Sequence, residues 1–279
     1  MDSLLDPTIW VWASALFGLC VGSFLNVVIH RLPIMMERQW EDELDMANEK
    51  PVRERARFDL LFPGSHCPSC ENRLKWWHNI PIVSFLLLRA KCGFCGARIS
   101  WRYPAVELFT AGAFVWVAFN FPPGWQGIAW MGFLSTLIAL ALIDLDTTLL
   151  PDDLTLPLMW AGIVFNLIFA HVSLQESVLG AVVGYLMLWV IYHGFKLATG
   201  KEGMGYGDFK LMAACGAWVG VQGLLSVLLV ASVVGVVFGV GILIKQGKSM
   251  ATPFPFGPSI VLGLFSWLLG FNVSELIVI

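Results

Sequence analysis

About eight apolar runs of membrane-crossing length, joined by short polar segments, leave this chain few ways to fold. In hydrocarbon every backbone N–H and C=O must be satisfied within the protein, so such runs are helices. A crossing takes about 17–25 apolar residues. By that measure the spans fall near 8–29, 103–121, 127–144, 154–170, 177–198, 208–222, 224–244 and 256–276. The sixth is the shortest, since only Leu211 to Val221 is apolar throughout. Charged residues make up 13% of the chain, about half the share usual in soluble domains (about 25%). The expected fold class is therefore an all-α polytopic membrane protein. MDSLLDPT carries no basic residue, and the run Ile9 to Ile29 is too long for a signal-peptide core, so it reads as a first span rather than a cleaved leader.

Placement of charge predicts orientation. Basic loops stay on the cytoplasmic side, and with eight crossings all 17 Lys and Arg fall on one side. Most lie between Arg31 and Arg102; Lys196, Lys201, Lys210, Lys245 and Lys248 flank the other loops on that side. The loops around Pro122 and Pro123 and from His171 to Glu176 have none, nor do the termini. The organisation expected is a first transmembrane helix (1–30), a small cytoplasmic domain (31–102) and a membrane-embedded domain (103–279), with both termini periplasmic.

GSFLNVVIHRLP closes the first span, with Ser23, Asn26 and His30 at helical spacing on one face. That face either packs against another helix or touches substrate. Pro33 is expected to end the helix, and residues 34–62 read as a solvated helix broken at Pro51. Arg53, Arg55 and Arg57 are candidates for anionic lipid headgroups. CPSC (Cys67, Cys70) and, after 21 intervening residues, CGFC (Cys92, Cys95) form two metal knuckles. In a reducing cytoplasm four thiolates with two short spacings suit zinc, with free thiols or an iron–sulfur cluster as alternatives. Four protein ligands leave no open position, so the zinc would be structural. Cys20 and Cys215 sit singly in spans and are expected to pack. Glu107 either pairs with an arginine or lies near a site, and His193 is expected to snorkel to the interface.

GMGYGDFK places Asp208 at the lip of an apolar run, where a charge usually marks function. Gly203, Gly205 and Gly207 give this loop backbone freedom and close approach to a bound peptide, and Lys210 ends the same substrate loop. IDLDTTLLPDD brings Asp144 and Asp146 to the end of another span on the same side. Two carboxylates in one site can share a proton, the pairing that aspartic proteolysis uses. Asp144 is nearest the membrane and Asp146 is its rival. Asp152 and Asp153, after Pro151, read as helix N-caps. No HExxH or Walker loop occurs, nor a Ser, His and Asp set at matching depth. A transporter using the aspartates as an ion relay remains open, as does an assembly scaffold in which they only cap helices. No nucleic-acid partner is expected.

Taken together, GSFLNVVIHRLP, CPSC, CGFC, RYPAVE, IDLDTTLLPD, GKEGMGYGDFK and PFPFGP resemble, in order, the bacterial type IV prepilin peptidases, leader peptidase/N-methyltransferases of the inner membrane. The resemblance covers nearly the whole chain. It implies a GxGD aspartic endopeptidase, similar in catalytic logic to presenilin and signal peptide peptidase. Asp144 and Asp208 would be the catalytic pair, and prepilins and type II secretion pseudopilins the substrates, cut after a glycine that follows a short basic leader. It also implies methylation of the new N-terminus from S-adenosylmethionine, with Lys91 a candidate residue for that step. Members often have Gly before the basic residue and third cysteine; this chain has Ala90, a departure that bears on methylation rather than on cleavage.

Overall fold

The computed structural model describes residues 6–201, 203–246 and 255–271, the side chains of 242–246 excepted. Glu202, Lys248, Pro253, Phe254, the Lys245 side chain and the end of the last expected span, 272–276, lie outside the described residues. Among those described there is no strand, only two isolated bridges. The α-helices are α1 (Pro7–Ala47), α2 (Val83–Leu87), α3 (Arg102–Asn120), α4 (Trp125–Thr147), α5 (Asp152–Phe169), α6 (Leu174–Thr199), α7 (Tyr206–Val219), α8 (Val221–Gln246) and α9 (Gly257–Leu268). All but α2 fall at the expected spans. Five of them, α1, α4, α5, α6 and α8, are long and apolar enough to cross a membrane. By contrast α7 has 14 residues and α9 has 12, each short for a crossing.

The chain divides into two units, one up to Ser135 and one from Thr136. In the first, α1 packs along α3. Gly18 and Gly22 let the helices touch, since a Cβ at either would lie 2.7 Å from the Cα of Ala111 or Glu107. Asn26 Nδ2 donates to the Tyr103 carbonyl (3.3 Å), so the Asn26 face is a helix–helix contact.

Pro33 does not end α1, which runs on through Ala47. Its missing N–H removes only one intrahelical bond, and a returning segment supports the extension. Arg55 Nη2 reaches Glu41 Oε2 at 2.7 Å and Asp42 at 3.3 Å, while Arg53 reaches Asp45 at 3.2 Å. Arg57 pairs with Asp59 at 2.6 Å. These three arginines therefore serve the protein's own carboxylates. Cys20 is exposed rather than packed, whereas Cys215 is buried. His193 lies against the Trp189 ring at 4.0 Å.

The second unit is built around α7. From Asp208 to Val219 every residue is buried except the half-buried Lys210, against α5, α6, α8 and α9. Gly180 of α6 faces Gly216 of α7 so closely that a Cβ on either would overlap the other's carbonyl oxygen. At the far end of α7 the Ala217 carbonyl accepts from Asn166 Nδ2 (2.9 Å) and Ser177 Oγ (2.6 Å). Trp218 Nε1 donates to the Leu158 carbonyl (2.9 Å). Carbonyls in a helix's last turn lack intrahelical partners, and here polar side chains of α5 and α6 supply them.

Candidate functional site: two buried aspartates and a cysteine cluster

Gly205 is the N-cap of α7 and Asp208 its third residue. That register turns the Asp208 carboxylate back on the helix start, where Oδ2 accepts from the Gly205 amide (3.3 Å). Asp144, in the last turn of α4, does the equivalent for α9: its Oδ2 accepts from the Gly257 amide (2.8 Å). Each carboxylate thus sits at the positive end of a helix, which favours negative charge. Asp144 is 4% exposed and Asp208 6%, and the two lie near enough for their charges to interact. The second oxygen of each has no hydrogen-bond partner among the described residues.

The other acidic residues are placed differently. Asp146 is exposed. Asp152 and Asp153 do not cap α5, whose N-cap is Pro151; they occupy its first turn. Both Asp152 oxygens accept from Lys210 Nζ at 2.7 Å, so that ammonium ties α7 to α5. The loop glycines also differ from expectation. Gly203, Gly205 and Gly207 avoid the left-handed region, which Gly200 takes instead at φ 70°. What they provide is room. A Cβ at Gly207 would lie 2.8 Å from Leu150, while at Gly205 it would meet nothing closer than 3.9 Å. Sequence reasoning missed Gly257, where a Cβ would lie 2.7 Å from Asp144 Oδ2. The only signal was PFPFGP ahead of a span.

In the first unit the four thiols of Cys67, Cys70, Cys92 and Cys95 all lie within 4.8 Å of one another. Two matching turns build the cluster. The Cys67 amide donates to the Asn72 carbonyl (3.0 Å) and the Cys92 amide to the Ala97 carbonyl (2.8 Å). The bridges His66 to Arg73 and Lys91 to Arg98 flank them. Each turn needs a left-handed residue after its second cysteine, Glu71 (φ 57°) in one and Gly96 (φ 71°) in the other. The Ser69 and Cys70 backbone amides hold the Cys67 thiol down to about 6. Cys95, although it accepts from the Ala97 amide, is pushed up to about 11 by burial and its cysteine neighbours. The cluster can hold a metal ion. A tetrahedral thiolate site with bonds of about 2.3 Å has edges of about 3.8 Å, and Cys67 Sγ lies 3.8 Å from Cys95 Sγ.

Two buried charges of the helix pair grip this module. Arg31 donates to the carbonyls of Asp59 (2.9 Å) and Pro63 (2.6 Å), ahead of the first turn. Among the described residues Glu107 pairs with no arginine; its Oε2 accepts the Ile82 amide (2.8 Å), ahead of the second. Ile82 has φ 58°, costly for a β-branched residue, so this bond holds strained backbone. Lys91 is exposed, and Ala90 before it has φ 56°, a conformation that glycine adopts freely.

Residues 16–121 match the model of the bacterial peptidase A24 N-terminal domain, and residues 131–240 that of the type IV leader peptidase family. Curated relatives align over nearly the full chain. A prepilin leader peptidase/N-methyltransferase of Aeromonas salmonicida (strain A449) is 49% identical over 264 residues, covering 93% of this chain and 90% of its own. That of Pseudomonas aeruginosa is 47% identical over 263 residues, covering 94% and 90%. That of Dichelobacter nodosus is 44% identical over 283 residues, covering 99% and 97%. No solved structure matches. The chain belongs to the type IV leader peptidase family, and the relatives named here carry two activities in their names, leader peptidase and N-methyltransferase.

Proposed function

We propose that this chain is a membrane aspartic endopeptidase that removes the short basic leader of type IV prepilins and pseudopilins and then N-methylates the new N-terminal residue. The observation that carries the reading is the pair Asp144 and Asp208, both buried and each tethered through one oxygen to a helix-start amide. One carboxylate takes a proton from water as it attacks the scissile carbonyl. The other gives a proton to the leaving amine, so the C–N bond breaks and one water is consumed. The tethers fix both side chains, and positioning of this kind lowers the barrier. The open ground at Gly205, with Gly207 beside it, suits an extended peptide lying next to Asp208. Lys210 serves the loop by fixing α7 against α5.

The cysteine cluster is assigned to structural zinc, held by Cys67, Cys70, Cys92 and Cys95. The side-chain amide of Asn72 lies 3.5 Å from Cys70 Sγ and the Phe94 backbone amide 3.5 Å from Cys92 Sγ, contacts that would steady thiolate ligands. Methylation rests on the relatives' names and draws on S-adenosylmethionine, which supplies an activated methyl group. The cavity beside the first turn, lined by Phe62, His66, Glu71 and Arg73 among others, has exposed walls. Lys91 remains the residue proposed for that activity. The basic loops support an inner-membrane orientation with the aspartates facing the cytoplasm and the termini outward. The test is to incubate purified protein with a prepilin and S-adenosylmethionine. A product lacking the leader and heavier by one methyl group is expected; an intact prepilin would contradict the reading.

A further inference from the structure

Between Asn72 and Val106 the chain has no acidic residue, yet it carries Arg73, Lys75, Arg89, Lys91, Arg98 and Arg102. The same stretch exposes large apolar side chains: Trp76 is 75% exposed, Leu86 64%, Leu87 78% and Trp101 72%. They are not scattered singly. The Trp76 and Trp77 rings meet at 5.5 Å, Trp77 and His78 at 5.9 Å, and His78 and Phe94 at 5.6 Å. That chain of rings joins the short 3₁₀ turn at Trp76–Asn79 to the second cysteine turn. The turn packs on α2, which carries Leu86 and Leu87. Phe85 of α2 meets Trp101, the residue at the start of α3, at 4.7 Å. Connected exposed apolar surface of this kind marks a contact surface.

We infer that residues 73–102 dock on the bilayer itself, with Trp76, Leu86, Leu87 and Trp101 in the interfacial layer and Lys75, Arg89 and Arg98 on anionic lipid headgroups. Three observations favour this occupant. Tryptophans beside basic side chains suit the boundary between headgroups and acyl chains. Charge complementarity calls for an acidic partner, and a basic leader peptide would be repelled. The segment also runs directly into α3, an apolar helix paired with the membrane helix α1. The water-side extension of α1 offers the contrast within the same unit. Its neighbours Arg53, Arg55 and Arg57 are consumed by Glu41, Asp42, Asp45 and Asp59, so it has no comparable basic face.

The test uses the full chain in nanodiscs with a photo-crosslinking residue in place of Leu87, Trp76 or, as reference, Leu44 on the α1 extension, exposed in this structure. Discs are either wholly phosphatidylcholine or contain about one third phosphatidylglycerol. A basic side chain near an anionic surface is favoured by about five-fold per charge. Lipid adducts at Leu87 and Trp76 should therefore exceed those at Leu44 and rise about five-fold or more with phosphatidylglycerol. The rise should vanish in the combined variant Lys75→Gln, Arg89→Gln and Arg98→Gln. Adducts at Leu87 no more frequent than at Leu44 would overturn the inference, as would adducts to a second copy of the chain or to an added prepilin. Should the combined variant fail to fold, the comparison of the two lipid compositions in the native background decides alone.

Discussion

The cysteine module and the α7 bundle solve opposite problems. The module, between Asp59 and Trp101, has almost no apolar core: Cys67, Phe85 and Cys92 are its buried residues. It is held by short turns, the grip of Arg31 and Glu107, and a cluster suited to a metal. The bundle has the reverse character. Around α7 the side chains are buried, glycines bring helices into backbone contact, and polar side chains serve the helix ends. A site in such a bundle keeps its carboxylates fixed and away from bulk water. A module with so little core depends on its ligands and, by our inference, on the membrane surface.

Short of the aspartates themselves, metal removal should break the comparison most sharply. A chelator, or Cys70→Ser, should expose backbone amides from about 59 to 101 to hydrogen exchange while α7 keeps its protection. Equal loss in both regions would contradict the separation. Next in size is Gly257→Ala. Its methyl would crowd Asp144 Oδ2, and displacing a reacting group by about 1 Å costs on the order of 100-fold. Leader removal should fall by about that factor with little change in thermal stability.

Gly216→Ala probes the bundle's packing rather than its chemistry. A Cβ there meets the Gly180 carbonyl, and overpacking typically costs about 1–3 kcal/mol. A lowered unfolding midpoint in detergent is expected, and an unchanged one would mean that α6 and α7 separate freely. The smallest effect is a gain. Glu71 and Ala90 hold left-handed dihedrals at φ 57° and 56°. Glu71→Gly or Ala90→Gly should stabilise the module by up to about 1 kcal/mol, read as greater resistance to local proteolysis.

Much of this was legible in the sequence because the signals were local. Span lengths located the helices, and the cysteine spacing located the cluster. Asp208 stood out as a carboxylate at an apolar lip. What escaped depended on distant partners. Asp144 and Asp146 are two residues apart and point to different sides of α4. Nearness to the membrane already favours Asp144, but the partner that holds it, the Gly257 amide far along the chain, is not legible locally. In the same way α1 continues past Pro33 because Arg53 and Arg55 return to its acidic face, which helix signals alone do not contain. Of the two uses that the loop glycines suggest, backbone freedom and close approach, the structure shows the second, with Gly207 against Leu150. Lys210 looked like a loop cation and proves to be a strut to Asp152.

The most direct measurement is the rate of prepilin leader removal by Asp144→Asn, Asp208→Asn and Asp146→Asn, each reconstituted in lipid with helicity checked beside the native protein. An amide nearly matches a carboxylate in shape but neither activates water nor supplies the catalytic proton, and such losses run to about 100-fold to 10,000-fold. Asp144→Asn and Asp208→Asn should each fall by at least about 100-fold while remaining folded, and Asp146→Asn should stay within a few-fold of native. Normal cleavage by Asp208→Asn, or a dead Asp146→Asn beside an active Asp144→Asn, would contradict the assignment of the buried pair.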